Sequence, residues 1–151
     1  MSKIKVALSA CLMGSSCRYD GNHNFNEILL KKLANYEVVT FCPEDYCFGT
    51  PRPTMDLIED GEEIRAVSNE TNANLSLPIK EYGESFFQQH PDIKLFIGKD
   101  KSPSCGVGST KLYNSDKIII SYHSTGLMAK EAIKRGIKSQ DATLFASSSN
   151  L

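Results

Sequence analysis

Residues 4–9, IKVALS, followed closely by Cys11, decide the fold of this 151-residue chain. A short apolar run between polar flanks is typical of a strand that is buried on both faces of a sheet. Two later runs have the same form, EVVTFC at residues 37–42 and IKLFIG at residues 93–98. KIIISY at residues 117–122 is β-branched and predicts a fourth strand.

Helical patterns lie between these runs. Residues 24–33 place Ile and Leu side chains on one face, after an asparagine that suits a helix N-cap. Residues 78–90 begin with a proline in the first turn, and residues 124–136 end with basic side chains and with Gly136 as the C-cap. Strands that alternate with helices predict an α/β fold, in which helices flank a small parallel, Rossmann-like sheet.

The whole chain is interpreted as one domain, because its length and its 40% hydrophobic content suit one sizeable core. That core is expected over about residues 4–137, and the polar end over residues 138–151 is predicted to be a frayed tail. Residues 56–77 are acidic and rich in asparagine. They predict no element beyond a short hairpin around Asp60 and Gly61.

Charge and hydropathy narrow the classes of function. The formal net charge is −1, which gives no basic surface for nucleic acid or for a membrane. No stretch approaches the roughly 20 apolar residues of a membrane span, and the start has no secretion signal, so we expect a cytoplasmic protein. In that compartment the five cysteines are expected to bind metal, to act in catalysis or to lie buried, rather than to form disulfides.

Three of the cysteines follow predicted strands. Cys11 lies just past the first strand, Cys42 at the end of the second, and Cys105 in the loop after the third. In an open parallel sheet, the carboxyl ends of the strands form the edge where ligands bind. We therefore expect the three thiols to meet at one edge, provided that these strands are parallel neighbours.

A single cysteine often acts as a small buried hydrophobe, so the argument depends on the three taken together. Their spacing lacks the CxxC pairs of a structural zinc site, and thiolates favour zinc, copper(I) or an iron–sulfur cluster. A 4Fe–4S cluster normally takes four cysteines. With three, one iron would be open to bind a substrate atom as a Lewis acid.

Polar residues near these cysteines are candidates for the chemistry. Glu44 follows Cys42 by two residues and suits a general acid or base, although a solvated loop carboxylate is an equal alternative. Ser102 and Ser104 are placed either to cap a turn or to donate hydrogen bonds to a ligand.

Two further segments carry residues that suit a planar or anionic ligand. Arg18 and Tyr19 would stack on a ring or hydrogen-bond to it, unless Arg18 pairs with Asp20. Arg52, between two prolines, suits a contact with an anion or a carbonyl, and an ordinary surface arginine is the alternative.

Three motifs, SACLMGSSCRYDGNH at 9–23, CPEDYCFGTPRP at 42–53 and KSPSCGVG at 101–108, occur in this order. Together they resemble the thiouracil desulfidase family, a bacterial family long without an assigned function, over roughly residues 4–136. The resemblance implies an oxygen-sensitive 4Fe–4S cluster held by three cysteines, which handling in air can remove. It also implies removal of sulfur from thiolated uracil without net redox chemistry.

Carried onto this sequence, the family pattern implies Cys11, Cys42 and Cys105 as cluster ligands, with Cys17 as the alternative ligand. Cys47 falls where the family usually has glycine and is interpreted as incidental. Glu44 is predicted to transfer protons and Ser102 to orient the substrate. The residues expected to contact the substrate are Ser104, Arg18, Tyr19 and Arg52.

The predicted function is therefore the conversion of a thiolated pyrimidine into the oxo base, with release of hydrosulfide. The expected partner is a small thiolated nucleobase, and a nucleoside or a base within RNA stays open as the substrate. Two other hypotheses use the same cysteines. One is a non-catalytic iron–sulfur sensor of redox or iron status, and the other is a cluster-free enzyme whose nucleophile is the Cys105 thiolate.

Overall fold

Two four-stranded sheets and five α-helices make up the part of the chain that the computed structural model describes, residues 3–13 and 27–147. The strands are β1 Lys5–Ser9, β2 Glu37–Phe41, β3 Met55–Asp60, β4 Glu63–Ser68, β5 Leu95–Gly98, β6 Thr110–Asn114, β7 Ile119–Ser124 and β8 Lys138–Asp141. The helices are α1 Glu27–Lys32, α2 Pro43–Phe48, α3 Ser76–Gln89, α4 Leu127–Lys134 and α5 Ala142–Ser147. A 3-10 turn, Ala10–Met13, follows β1.

The first sheet is parallel throughout, in the order β2-β1-β5-β8. Successive residues of a strand point to opposite faces, so Val6 and Leu8 of β1 pack on one side and Ala7 on the other. Helices α1 and α5 cover the first side, and α3 and α4 cover the second. The predicted α/β fold with a parallel sheet between helices is confirmed, and β1, β2 and β5 are parallel neighbours.

The second sheet is mixed, in the order β4-β3-β6-β7. The hairpin predicted around Asp60 and Gly61 is present, because β3 and β4 pair antiparallel on either side of that turn. Leu57 of this sheet shares a buried cluster with Ile79 of α3 and Leu127 of α4. This cluster joins the second sheet to the helices that cover the first.

The strand predicted at residues 117–122 belongs to this second sheet and not to the parallel one. It overlaps β7, which pairs antiparallel with β6. Asn114 explains the reversal, because its side-chain oxygen accepts hydrogen bonds from the N–H groups of Asp116 and Ile118 and closes a tight turn. The β-branched run therefore predicted a strand correctly, but the expectation that this strand joins a parallel sheet was wrong.

The fourth strand of the parallel sheet comes from the segment expected to be a frayed tail. β8 pairs with β5 over all four of its residues, and Phe145 of α5 packs edge-to-face on Tyr36, with ring centroids 6.2 Å apart. The strand sequence KSQD has no apolar residue, so hydrophobic periodicity gave no signal for it. The structure differs from the expectation over residues 138–147, and the core reaches Phe145.

Two helix ends agree with the sequence, but α4 begins at Leu127 with Gly126 as its N-cap and not at the predicted residue 124, because Ser124 ends β7. α3 begins at Ser76 and has Pro78 in its first turn, and Gly136, with φ of +78°, follows α4 as a C-cap glycine. The asparagines expected to cap α1 lie outside the described residues. No helix within residues 3–13 and 27–147 is long and apolar enough to cross a membrane.

Candidate active site

The carboxyl ends of β1, β2 and β5 border a cavity of about 220 Å³. This is the edge at which open parallel sheets bind ligands. The described residues that line it are Ser9, Cys11, Cys42, Pro43, Glu44, Arg52, Lys99, Asp100, Lys101, Ser102, Pro103, Ser104 and Cys105. The three cysteines that follow strands thus meet around one cavity, as their positions in the sequence predict.

Each of the three thiols is delivered by a different local structure. Cys11 lies in the 3-10 turn after β1, with its sulfur 3.5 Å from the Ser9 hydroxyl. Cys42 precedes α2, and its backbone N–H donates to the Tyr82 hydroxyl at 3.2 Å. The sulfur of Cys105 accepts a hydrogen bond from the Lys99 N–H at 3.4 Å. Cys11 and Cys105 are both buried.

The loop that carries Cys105 is a tight turn built around Ser102. The Ser102 hydroxyl accepts hydrogen bonds from the N–H groups of Ser104 and Cys105, each at 3.1 Å. The Ser102 carbonyl accepts from the Gly106 N–H at 3.0 Å and from the Thr110 hydroxyl at 2.7 Å. The turn therefore provides hydrogen-bond partners for its own backbone groups. The Cys105 sulfur lies at the end of β5, beside Lys99.

Glycines let this loop lie against its neighbours. A Cβ on Gly98 would lie 1.7 Å from the Cys105 carbonyl oxygen, and one on Gly126 would lie 2.4 Å from the Ser104 carbonyl carbon. Such distances are impossible for a real side chain. The Ser104 carbonyl in turn accepts from the Met128 N–H at 2.7 Å, in the first turn of α4. Strand β5 and helix α4 thus hold the loop through its backbone.

A carboxylate with two hydroxyl donors lies beside the thiols. Glu44 is in the first turn of α2, where Pro43 opens the helix and acidic side chains are favoured. Its Oε2 accepts a hydrogen bond from the Ser104 hydroxyl at 2.8 Å and a weaker one from the Ser102 hydroxyl at 3.4 Å. These contacts join residues about 60 positions apart in the sequence.

The other carboxylate oxygen of Glu44 faces an arginine. The Nε of Arg52 lies 3.6 Å from Glu44 Oε1, and the two side chains are only 5% and 16% exposed. The Nη1 of Arg52 donates to the Thr50 hydroxyl at 2.9 Å and to the Gly49 carbonyl at 3.1 Å. The cavity therefore has a buried pair of opposite charges in its wall.

The surroundings of Cys105 raise the pKa of its thiol to about 12. Burial is the main cause, because a thiolate loses its hydration there, and the charge of Glu44 acts in the same direction. Hydrogen bonds from Ser102 and from the Lys99 N–H act against it. A cluster-free enzyme would need a lowered pKa at this thiol, and burial acts on it in the opposite direction.

Three predicted site residues cannot be placed at this cavity, and a cysteine interpreted as incidental lies away from it. Cys17, Arg18 and Tyr19 lie outside the described residues. Cys47 is on α2, and its sulfur lies 3.5 Å from the Pro78 carbonyl oxygen in a separate cavity beside α3. Burial raises the pKa of the Cys47 thiol. Its interpretation as incidental stays a prediction.

The sequence did not single out four polar lining residues that the structure brings to the cavity. These are Ser9, Lys99, Asp100 and Lys101. Ser9 ends β1, and the other three directly follow β5. The rule that found the cysteines, namely position after a parallel strand, would have found these residues too.

The donor set fits an iron–sulfur cluster better than a single ion. Within residues 3–13 and 27–147, no group of three His, Cys, Asp or Glu side chains is placed to hold one metal ion. A 4Fe–4S cluster makes a different demand, since each cysteine binds a different iron and the sulfurs need not meet at one point. Three thiols on one cavity satisfy that demand, and thiolates are the ligands that iron–sulfur clusters take.

The fold and the site together define an open-sheet α/β protein whose ligand edge carries three thiols and a hydrogen-bonded carboxylate. Residues 6–142 match a family model described as 2-thiouracil desulfurase, and the chain belongs to this family. The match covers both sheets and the loop that carries Cys105. It confirms the family that the three sequence motifs indicate.

Two individual proteins are similar to this chain. The protein YbbK of Bacillus subtilis strain 168, described as uncharacterized, is 30% identical over 156 residues, which cover 90% of this chain and 96% of YbbK. Among solved structures, the 4Fe–4S-dependent thiouracil desulfidase TudS superposes with a TM-score of 0.72 and 27% identity. That superposition covers 92% of this chain and 91% of TudS.

Proposed function

We propose that this chain hydrolyses the thiocarbonyl group of a thiolated pyrimidine such as 2-thiouracil, with a 4Fe–4S cluster bound at the cavity. The C=S bond is replaced by C=O, oxygen comes from water, and sulfur leaves as hydrosulfide, so no electrons are gained or lost. The observation that carries the proposal is the meeting of three thiols and Glu44 on one cavity in a member of this family. The structural likeness to TudS supports it.

Cys11, Cys42 and Cys105 would hold the cluster, and Cys17 is the alternative ligand. When bound, the cluster supplies a Lewis-acidic iron that suits a soft sulfur atom. The chain's own contribution is to bury Cys11 and Cys105 and to fix the Cys105 loop through backbone contacts. A loop fixed in this way presents its thiol in one position before any ligand binds.

Glu44 is suited to activate the attacking water. One proton of the water passes to the carboxylate, and the other leaves with the sulfur as hydrosulfide. The hydroxyls of Ser104 and Ser102 hold one carboxylate oxygen, while the other faces Arg52 across 3.6 Å. The carboxylate is thereby held at the edge of the cavity with its orientation set before the substrate enters.

The pyrimidine ring needs partners for its polar edge. Ser102 borders the cavity and is the proposed orienting group, and the buried hydroxyl of Ser104 lies next to it. Arg52 lines the same cavity. Arg18 and Tyr19 stay predictions from the sequence as residues that contact the ring.

The direct test is turnover by anaerobically reconstituted protein. Iron, acid-labile sulfide, hydrosulfide and uracil are measured after incubation with 2-thiouracil, with uracil itself as the blank. We expect hydrosulfide and uracil to form in equal amounts and to depend on bound iron. A cluster without release would favour the sensor, and release from protein that contains no iron would favour the cluster-free enzyme.

Variants separate the two roles at the cavity. Glu44→Gln is expected to keep the cluster and to lower kcat by roughly 10²- to 10⁴-fold, the usual range for a general base. Cys105→Ser is expected to lose iron. Cys47→Ser is the matched control, because this thiol lies in a separate cavity, and it should retain both iron and turnover.

A further inference from the structure

We propose that Thr50 is a positioning residue, which together with Asp45 holds Arg52 in place against Glu44. The inference rests on the proposed function for the role of Glu44 as the base. Neither Thr50 nor Asp45 is among the residues that line the cavity. Thr50 contacts the wall of the cavity through Arg52, whose Nη1 donates to the Thr50 hydroxyl.

The chain path brings these residues together in pairs. Helix α2 carries Glu44 and Asp45 next to each other in its first turn. Gly49, with φ of +81°, ends the helix and turns the chain back along it. On this return segment the Thr50 hydroxyl donates a hydrogen bond to Asp45, and Arg52 lies against Glu44. The neighbouring carboxylates of Asp45 and Glu44 thus contact Thr50 and Arg52, which both lie on the return segment.

The orientation of the Arg52 side chain is set by its terminal nitrogen Nη1 and not by a hydrogen bond to Glu44. Its Nε is buried and has no hydrogen-bond partner within the described residues, because Glu44 Oε1 lies 3.6 Å away. A buried donor without an acceptor is costly, so the side chain would turn to form a bond if it could. The hydrogen bonds of Nη1 to Thr50 and Gly49 are what hold it in this orientation.

Asp45 decides which way the Thr50 hydroxyl points. A hydroxyl has one proton to donate and two lone pairs, and an ionised carboxylate can only accept. Because the proton is directed to Asp45, a lone pair is directed to Nη1 of Arg52, which can only donate. Arg52 therefore donates to Thr50 and Thr50 donates to Asp45, while the guanidinium faces Glu44 as an opposite charge at 3.6 Å without a hydrogen bond.

Loss of the Thr50 hydroxyl would release this restraint. An arginine whose Nη1 keeps only its 3.1 Å hydrogen bond to the Gly49 carbonyl is less restrained and can turn its two parallel N–H groups onto a carboxylate, which is the favoured geometry of such pairs. In that arrangement Arg52 would compete with Ser104 for Glu44 and would rotate the carboxylate. A displacement of the base of about 1 Å is enough to cost about 100-fold in rate.

The test compares Thr50→Val, Thr50→Ser and the control Thr54→Val in the reconstituted holoenzyme. Thr50→Val keeps the side-chain shape, and we expect kcat to fall by about 10- to 100-fold, with KM, iron content and Tm little changed. Thr50→Ser restores the hydroxyl and should recover kcat to within about threefold. The Thr54 hydroxyl bonds to the Asn69 amide instead, so Thr54→Val should leave kcat unchanged.

A double-mutant cycle shows whether Thr50 acts through Arg52. If it does, Thr50→Val should lower kcat much less in an Arg52→Lys background than in the wild type. Equal losses in the two backgrounds, or an unchanged kcat in Thr50→Val alone, would overturn the proposal.

Anaerobic crystal structures of the Thr50→Val and Thr50→Ser holoenzymes give a readout that needs no turnover. We expect Arg52 to change its orientation toward Glu44 in the valine variant and to keep it in the serine variant. An unchanged Arg52 in the valine variant would overturn the positioning role, even if the wild type proved to have no desulfidase activity. Absence of hydrosulfide release by the wild type would instead overturn the proposed function.

Discussion

The cavity is bordered by two segments that are held in different ways. Residues 98–108 are held by close backbone approaches at Gly98 and Gly126 and by the Ser104 carbonyl that caps α4, in addition to the hydrogen bonds of the Ser102 hydroxyl within the turn. Residues 42–52 are fixed by side chains, through a carboxylate, a hydroxyl and a guanidinium. The first segment cannot accept added bulk at its contact points. The second depends on single polar atoms, namely the Thr50 hydroxyl and the carboxylates of Asp45 and Glu44.

The largest effect is expected where the backbone contact is closest. Gly98→Ala would place a Cβ 1.7 Å from the Cys105 carbonyl oxygen, so either β5 or the loop must move. We expect a loss of more than about 4 kcal/mol in the free energy of unfolding, together with loss of bound iron. Urea denaturation and iron content measure this. A variant with wild-type stability and iron would show that this approach does not hold the loop.

A smaller effect is expected where a side chain joins the two segments. Ser104→Ala removes the 2.8 Å hydrogen bond to Glu44 but keeps the carbonyl that caps α4. A hydrogen bond to a charged group contributes about 1.5–3 kcal/mol, so kcat should fall by about 10- to 100-fold while iron content stays the same. Steady-state kinetics on 2-thiouracil test this. An unchanged kcat would mean that Glu44 keeps its orientation without Ser104.

The smallest effect is expected at Gly108, in the same loop as Cys105. Its φ is +74°, but a Cβ there would meet no heavy atom within 4 Å. Gly108→Ala therefore pays only for a left-handed conformation, about 1–2 kcal/mol, and should keep its iron. The same denaturation assay on Gly98→Ala and Gly108→Ala gives a matched comparison of their free energies of unfolding. Equal losses at the two glycines would contradict the distinction between close approach and backbone conformation.

The meeting of the three thiols was predictable because it depends on a general property of parallel sheets. Cys11, Cys42 and Cys105 each follow an apolar run, and neighbouring parallel strands end at the same edge. The helix around residues 127–134 was equally clear, since its apolar stripe and Gly136 are local signals.

The second sheet and the side-chain network were not predictable in this way. β3 pairs with β6 more than 50 residues further along the chain, and β8 has no apolar residue at all. Their pairing depends on backbone hydrogen bonds that carry no residue-type signal. Likewise, the contact between Glu44 and Ser104 depends on where two loops end in space, which no local pattern describes.

The position of β8 has a consequence for how a nascent chain matures. Asp141, at the end of β8, accepts a hydrogen bond from the Val107 N–H at 2.7 Å, next to the loop of the third thiol. A ribosome releases Cys11 and Cys42 long before it releases Asp141, which stands 36 residues after Cys105. The third thiol therefore gains its full support late in synthesis. The loop that carries Cys105 is therefore completed only after β8 has been synthesised and has paired with β5.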